Sequence, residues 1–154
     1  MQINAMKIRL ISITGRRGAK LAGIDELVAK YTKRAGRYAA VETAEYASEA
    51  ALQKSLERGG RTAPFLVVLD GRGRQMSSEE LAEMMQQQME RDTQELIFAI
   101  GPADGWSKET LGEAQIRLSL GPMTLPHELA RVVMAEQIYR AETILHHHPY
   151  HGGH

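Results

Sequence analysis

The chain has 154 residues, of which 43% are hydrophobic, and its 19 basic and 19 acidic side chains give a formal net charge of zero. A chain of this length can bury a hydrophobic core without disulfides or metals, so we expect a single domain over residues 1–154. The absence of cysteine excludes disulfides, thiolate metal sites and cysteine nucleophiles. No apolar run has the length of a membrane span and the first residues lack a signal-peptide pattern, so we expect a cytoplasmic protein without a membrane partner.

The charges are unevenly distributed along the chain. Residues 1–40 contain nine Lys or Arg and two acidic residues, a net charge of +7, and the remainder carries −7. Such asymmetry can mark a surface that binds a polyanion. The alternative is that these side chains only solvate the exposed faces of helices, and charge alone leaves both interpretations open.

The first part of the chain alternates strand and helix patterns. In chain order we predict a strand, an amphipathic helix, a weaker strand and a second helix, over residues 6–13, 19–35, 37–47 and 48–58. The first helix should end at Gly36, and Ser48 is a suitable N-cap for the second. The first helix has a predicted apolar face that consists of Leu21, Ile24, Leu27, Val28 and Tyr31.

The second part of the chain is more regular. Strand patterns occupy residues 65–69, 96–100 and 116–120, and helix patterns occupy residues 78–91, 107–114 and a long segment from residue 126. The first two of these strands are continuously apolar, which is typical of a parallel sheet covered on both faces. Ser77 and Glu80 form a capping-box pattern before the first of these helices.

Glycine follows each of these three strands, in Asp70-Gly71, Gly101-Pro102 and Gly121-Pro122. We predict a turn at residues 70–73. In α/β sheets ligands bind beyond the carboxyl ends of the strands, although glycine and proline also serve simply to turn the chain. The loop at residues 120–126 carries almost no charge, unlike phosphate-binding loops, and this favours a flat, mostly apolar ligand held by main-chain hydrogen bonds.

Four segments are similar to one known family: LDGRG, IGPADG, LSLGPMTLPHELARVVMAEQIYRA and HHHPYH. They resemble the ribosomal RNA large subunit methyltransferase H family, a branch of the SPOUT class. The resemblance implies an α/β SPOUT-type domain with a mostly parallel sheet flanked by helices and a deep C-terminal trefoil knot over about residues 64–154. It also implies S-adenosylmethionine as cofactor, and a homodimer in which the pocket of one subunit is completed near the other.

The reaction implied by this resemblance is methylation of N3 of a pseudouridine in 23S rRNA of the assembled ribosome. The residues carried over for cofactor binding are Leu69, Gly101, Leu120, Gly121, Pro122, Met123, Thr124, Leu125 and Pro126. The candidate catalytic residues are His127, Arg131, Tyr150 and His151. The candidate RNA contacts in the basic first part are Arg16, Arg17 and Lys20. We expect no metal site, because adjacent histidines such as those at residues 146–148 are poorly spaced as ligands.

Each catalytic candidate also has a plainer interpretation. His127 and Arg131 lie one helical turn apart and share a face, but His127 can hydrogen-bond its own loop and Arg131 can pair with Glu128 or Glu136. The segment at residues 148–151 can be an unstructured terminus. The resemblance favours the tail as part of the active site, where Tyr150 would stack on a base.

Three positions depart from the family pattern. Residues 152–154 replace a basic residue that usually follows HPYH, Ile100 replaces a glycine, and Asp104 replaces a common glutamate. The altered tail leaves an alternative function open: a non-catalytic dimeric ribosome-binding factor that retains the cofactor pocket. A third hypothesis, a flavodoxin-like nucleotide binder, predicts bound flavin and no dimer. For Trp106 we expect core packing, and for Asp70 a role in a turn.

Overall fold

The computed structural model describes residues 6–14, 21–57, 62–102 and 104–152, with only the backbone for residues 151 and 152. The elements in chain order are β1 (Lys7–Ile13), α1 (Ile24–Ala35), β2 (Ala40–Tyr46), α2 (Glu49–Leu56), β3 (Phe65–Gln75), α3 (Ser78–Glu90), β4 (Glu95–Ile100), α4 (Lys108–Glu113), β5 (Ile116–Ser119), α5 (His127–Leu145) and a short 3-10 helix (Pro149–Gly152).

The five strands form one parallel sheet in the order β2-β1-β4-β3-β5. Helices cover both faces, α1, α3 and α5 on one and α2 and α4 on the other. The central strand β4 explains the continuous apolar pattern, because Leu96, Ile97, Phe98 and Ala99 are each 0% exposed between these two layers. The predicted α/β fold with a mostly parallel sheet flanked by helices is confirmed.

Serine caps define the starts of three helices as the sequence indicates. The hydroxyl of Ser48 accepts from the amide of Ala51, and Ser77 forms a complete capping box with Glu80. Ser107 caps α4 in the same way. These caps fix the first turns of α2, α3 and α4.

The predicted start of the first helix was wrong. The chain is not helical at residues 21–23, and α1 begins at Ile24, because Gly23 adopts a left-handed conformation with φ of 86°. The predicted apolar face was also wrong in part, since Leu21 and Leu27 remain 46% and 40% exposed. Only Ile24 and Val28 of that face are fully buried.

The predicted turn at residues 70–73 was also wrong. Strand β3 continues through this segment to Gln75, and its register with β5 shifts between Leu69 and Arg74. Gly73 permits the close approach, because a Cβ there would lie 2.4 Å from the carbonyl oxygen of Arg117. Gly73 therefore serves an irregular strand and not a turn.

Candidate functional site

A cavity of about 580 Å³ opens beside the carboxyl ends of β4 and β5, next to the irregular part of β3. Its walls come from three segments that are distant in sequence: the middle of β3, the loop after β4 and the loop between β5 and α5. The nine residues predicted to bind cofactor all line it, namely Leu69, Gly101 and residues 120–126. The structure thus brings together the loops that the sequence pattern singled out.

Trp106 forms one wall of this cavity. Its indole Nε1 donates a 2.9 Å hydrogen bond to the carbonyl oxygen of Leu69, which joins the loop after β4 to β3. The ring also lies against Gly101, where an added Cβ would be 2.5 Å from the indole Cε2. Trp106 packs against the core as the sequence predicts, and it also lines the cavity, for which its position five residues after Gly101 was the available signal.

The loop between β5 and α5 offers main-chain groups to this cavity. Ser119 holds its start, since the Ser119 hydroxyl accepts from the Gly121 amide at 3.1 Å and donates to the Gly121 carbonyl at 3.0 Å. Within the described part of the chain, the amides of Met123, Thr124 and Leu125 make no hydrogen bond to protein. They are therefore available to a ligand.

Ionisable side chains are scarce around the cavity. Among the described residues that line it, Asp70 and His127 are the ionisable ones. The Asp70 carboxylate accepts a 3.1 Å hydrogen bond from the Arg72 amide, so part of its capacity is used within β3. The cavity otherwise presents apolar side chains and backbone, as the weakly charged loop predicts.

His127 begins α5 with its ring at the edge of the cavity. Its Nδ1 lies 3.5 Å from a carboxylate oxygen of Glu128, and its Nε2 is buried with no hydrogen-bond partner among the described residues. The ring therefore has a carboxylate near one nitrogen and, in the described part of the chain, no hydrogen-bond partner at the other. The unbonded Nε2 makes His127 a candidate proton acceptor.

Arg131 shares the Glu128 carboxylate with His127 but does not line the cavity. Its guanidinium is buried and pairs with Asp25 at 2.9 Å, Glu128 at 3.3 Å and Glu45 at 3.4 Å. These pairs connect α5 to α1 and β2. Of the two partners considered from sequence, Glu128 is observed.

The C-terminal segment packs on the second half of α5. The Tyr150 hydroxyl donates to Glu136 at 2.7 Å, and its ring lies 4.6 Å from the ring of Tyr139 and 4.9 Å from the guanidinium of Arg140. Burial and the hydrogen bond to Glu136 raise the pKa of Tyr150 to about 12, so this phenol stays protonated. The segment is a 3-10 helix, and Tyr150 is not among the described residues that line the cavity.

For four predicted site residues the structure gives no side-chain position. Arg16, Arg17 and Lys20 lie outside the described residues, and for His151 only the backbone is described. Among the residues that the structure describes, no group of three His, Asp or Glu side chains is arranged to hold a metal ion. None of the helices in that same part of the chain is long and apolar enough to cross a membrane.

Comparison with known proteins identifies the family. Residues 6–151 match the profile of a family described as "Predicted SPOUT methyltransferase". The chain is 55% identical over 149 residues to Ribosomal RNA large subunit methyltransferase H of Koribacter versatilis (strain Ellin345), covering 97% of this chain and 100% of the relative. It is 41% identical over 138 residues to the protein of the same name from Geotalea daltonii (strain DSM 22248 / JCM 15807 / FRC-32), covering 84% and 88%.

A solved structure agrees with this result at the level of the fold. The chain resembles the SpoU methyltransferase AviRb from Streptomyces viridochromogenes, solved in complex with AdoMet, with a TM-score of 0.51 at 12% identity. The similarity covers 91% of this chain and 59% of AviRb. The family predicted from the sequence is confirmed: the chain belongs to the SPOUT methyltransferases.

Proposed function

We propose that the protein is an S-adenosylmethionine-dependent methyltransferase that methylates N3 of a pseudouridine in 23S rRNA of the assembled ribosome. The names of the relatives support methylation of large-subunit rRNA. The observation that carries the proposal is the cavity beside β4 and β5, which combines unbonded backbone amides, apolar walls and one histidine whose Nε2 has no partner among the described residues.

The residues present fit the methyl donor. The cavity volume is in the range of small-molecule sites. Leu69, Leu120 and Leu125 would hold the adenine ring, and the amides of residues 123–125 would bond its polar edge. Residue 101 must be glycine because its backbone lies against the indole of Trp106, and a side chain there would displace the indole. The bound donor supplies an activated methyl group.

The remaining chemical task is removal of the N3 proton of the target base, and we assign it to His127. Its Nε2 is buried and without a protein partner among the described residues, and the residue lines the cavity. Glu128, with a carboxylate oxygen 3.5 Å from Nδ1, would orient the ring. Arg131 acts one step away, because its pairs with Glu128 and Asp25 fix the first turns of α5 and α1. A histidine placed in this way is suited to general base catalysis.

We further propose that the enzyme is a cytoplasmic homodimer, in which Tyr150 and His151 of one tail help complete the pocket of the other subunit. The Asp25–Arg131 ion pair brings the first turns of α1 and α5 together near the cavity. Large apolar side chains in these turns and the adjoining loops are exposed, as expected of an interface: Leu21, Leu27, Met123, Leu125 and Leu129. Met123 is 84% exposed.

The other elements of the proposal follow the family resemblance. Residues 1–154 form a single domain, and residues from about 64 to 154 form the deep trefoil knot. Arg16, Arg17 and Lys20 contact rRNA phosphates, in keeping with the net charge of +7 in residues 1–40. Reversal of these three charges should lower methylation of ribosomes and leave the affinity for the donor unchanged.

Two measurements, made one after the other, test the proposed function. Calorimetric titration with S-adenosylmethionine should show binding, and incubation with ribosomes from a strain lacking this protein should add one methyl group that mass spectrometry locates on a pseudouridine. Donor binding without methyl transfer to ribosomes would refute the proposed activity and favour a non-catalytic ribosome-binding factor. Methylation of a different base would refute the proposed substrate.

A further inference from the structure

A groove of about 680 Å³ lies at the C-terminal end of α1, beside the start of β2. Four cationic side chains line it together with Thr32, Gly36 and Val41, namely Lys30, Lys33, Arg34 and Arg37. We propose that this basic groove binds the phosphate backbone of the RNA substrate. The inference rests on the proposed function, because it takes the polyanion to be the RNA that is methylated.

The four cations are not engaged within the protein. In the described part of the chain, none of them forms an ion pair or a side-chain hydrogen bond. Glu42, on neighbouring β2, is already paired with Lys7 and Arg9. The positive potential of the groove is therefore not neutralised from within.

Local stability does not explain the cluster. Lys33 and Arg34 lie in the last turn of α1, where cations interact favourably with the helix dipole. Lys30 and Arg37 lie outside that turn. Like charges three or four residues apart destabilise a helix, and within α1 Lys30 forms two such pairs, with Lys33 and with Arg34. A cluster that costs stability and has no internal partner is suited to an external anion.

The position of the groove makes it distinct from the reacting centre. The first turn of α1 is tied to α5 near the cavity by the Asp25–Arg131 ion pair. The groove lies along the second half of α1 and just beyond it, and at the rise per residue of an α-helix Lys33 is about 12 Å along the axis from Asp25. RNA bound there would be held through its backbone while a distant nucleotide enters the cavity.

The chemistry of the groove favours RNA over a membrane surface or an acidic protein segment. Its lining provides Lys and Arg with one threonine, and it lacks the aromatic or large exposed apolar side chains that insert into lipid or anchor a peptide. Lys and Arg in a row along a groove are typical of contacts to phosphates, which position a nucleic acid without specifying its sequence.

The test compares two double variants of the full-length protein. Lys33→Ala/Arg37→Ala removes two cations of the groove, and Lys54→Ala/Arg91→Ala removes one exposed lysine and one exposed arginine elsewhere. Binding to a fluorescein-labelled 23S rRNA stem-loop and to assembled ribosomes is measured over a range of salt concentrations. The affinity for S-adenosylmethionine is measured by calorimetry as a check on folding.

The groove variant should bind both RNA probes roughly tenfold more weakly, with the slope of log affinity against log salt reduced by about two, and should bind the donor normally. Affinity and slope equal to those of the control variant would overturn the proposal. Failure of the proposed function would give a different result. If ribosomes are not methylated but RNA binding still depends on Lys33 and Arg37, the assigned reaction is refuted and the RNA-binding role of the groove is retained.

Discussion

Glu142 provides the sharpest prediction about stability. It lies in α5 with 1% of its surface exposed, and neither carboxylate oxygen has a hydrogen-bond partner among the described residues. Burial raises the pKa of this carboxyl to about 7, and the imidazole of His146, with Nδ1 at 3.8 Å, opposes the shift. A carboxylate in this environment is expected to destabilise the fold.

The sign and size of the effect follow from the change in pKa. The pKa rises from 4.5 in the unfolded chain to about 7 in the folded one, so the folded state binds this proton more tightly. The carboxyl therefore destabilises the fold least below pH 4.5. The destabilisation grows as the pH rises towards 7 and reaches its full value above that pH. At 1.36 kcal/mol for each pH unit, the full cost is about 3 kcal/mol.

The substitution Glu142→Gln removes the ionisation and nearly preserves the volume. We compare the free energy of unfolding of the variant with that of the wild type at each pH. The difference in favour of the variant should be about 3 kcal/mol larger at pH ~8.5 than at a pH where Glu142 is protonated. Urea unfolding followed by circular dichroism at several pH values measures this difference in stability. The protein concentration is held fixed, because the stability of an oligomer depends on concentration.

Glu83→Gln is the matched control, because Glu83 is an exposed glutamate on α3. It should leave the pH profile of stability unchanged. Parallel profiles for the wild type and the Glu142 variant would refute the reasoning, since they would mean that the Glu142 carboxyl gains water or a partner in solution. His146→Asn removes the imidazole and shows whether it contributes to the pH profile of stability.

Three further predictions concern the cavity and the tail. Gly101→Ala should weaken donor binding at least about tenfold in calorimetry, because its Cβ would displace the indole of Trp106; unchanged affinity would mean that the indole moves freely. His127→Asn should lower the single-turnover methylation rate by roughly 10²–10⁴-fold with little change in donor affinity, and a normal rate would assign the proton to another group. Tyr150→Phe should cost about 1 kcal/mol of stability, from the lost hydrogen bond to Glu136, and retain most activity; a collapse of kcat would show that the hydroxyl takes part in the chemistry.

The parts of the fold that the sequence predicted are those governed by local chemistry. Strand β4 was recognisable because a strand buried on both faces is continuously apolar, and α3 because its capping box lies within four residues. The loop at residues 120–126 stood out because it lacks charge. Each of these signals is contained in a short window of sequence.

The parts that failed depend on conformation or on distant partners. Nothing in the sequence around Gly23 shows its positive φ. The sequence around Gly73 is typical of a turn, and only the three-dimensional structure shows that the carbonyl of Arg117 lies beside it. Arg131 meets Asp25 across 106 positions of sequence, so local patterns offered only its neighbours on the same helix. The burial of Glu142 was hidden for a similar reason, because its helix packs against elements from several parts of the chain.

A crystal structure of the protein soaked with S-adenosylmethionine tests the central claim most directly. The central claim predicts adenosyl density in the cavity beside the carboxyl ends of β4 and β5, with main-chain contacts from Gly101 and residues 120–125 and with His127 at the edge of the site. Density at another place, or an empty cavity at a saturating donor concentration, would contradict it.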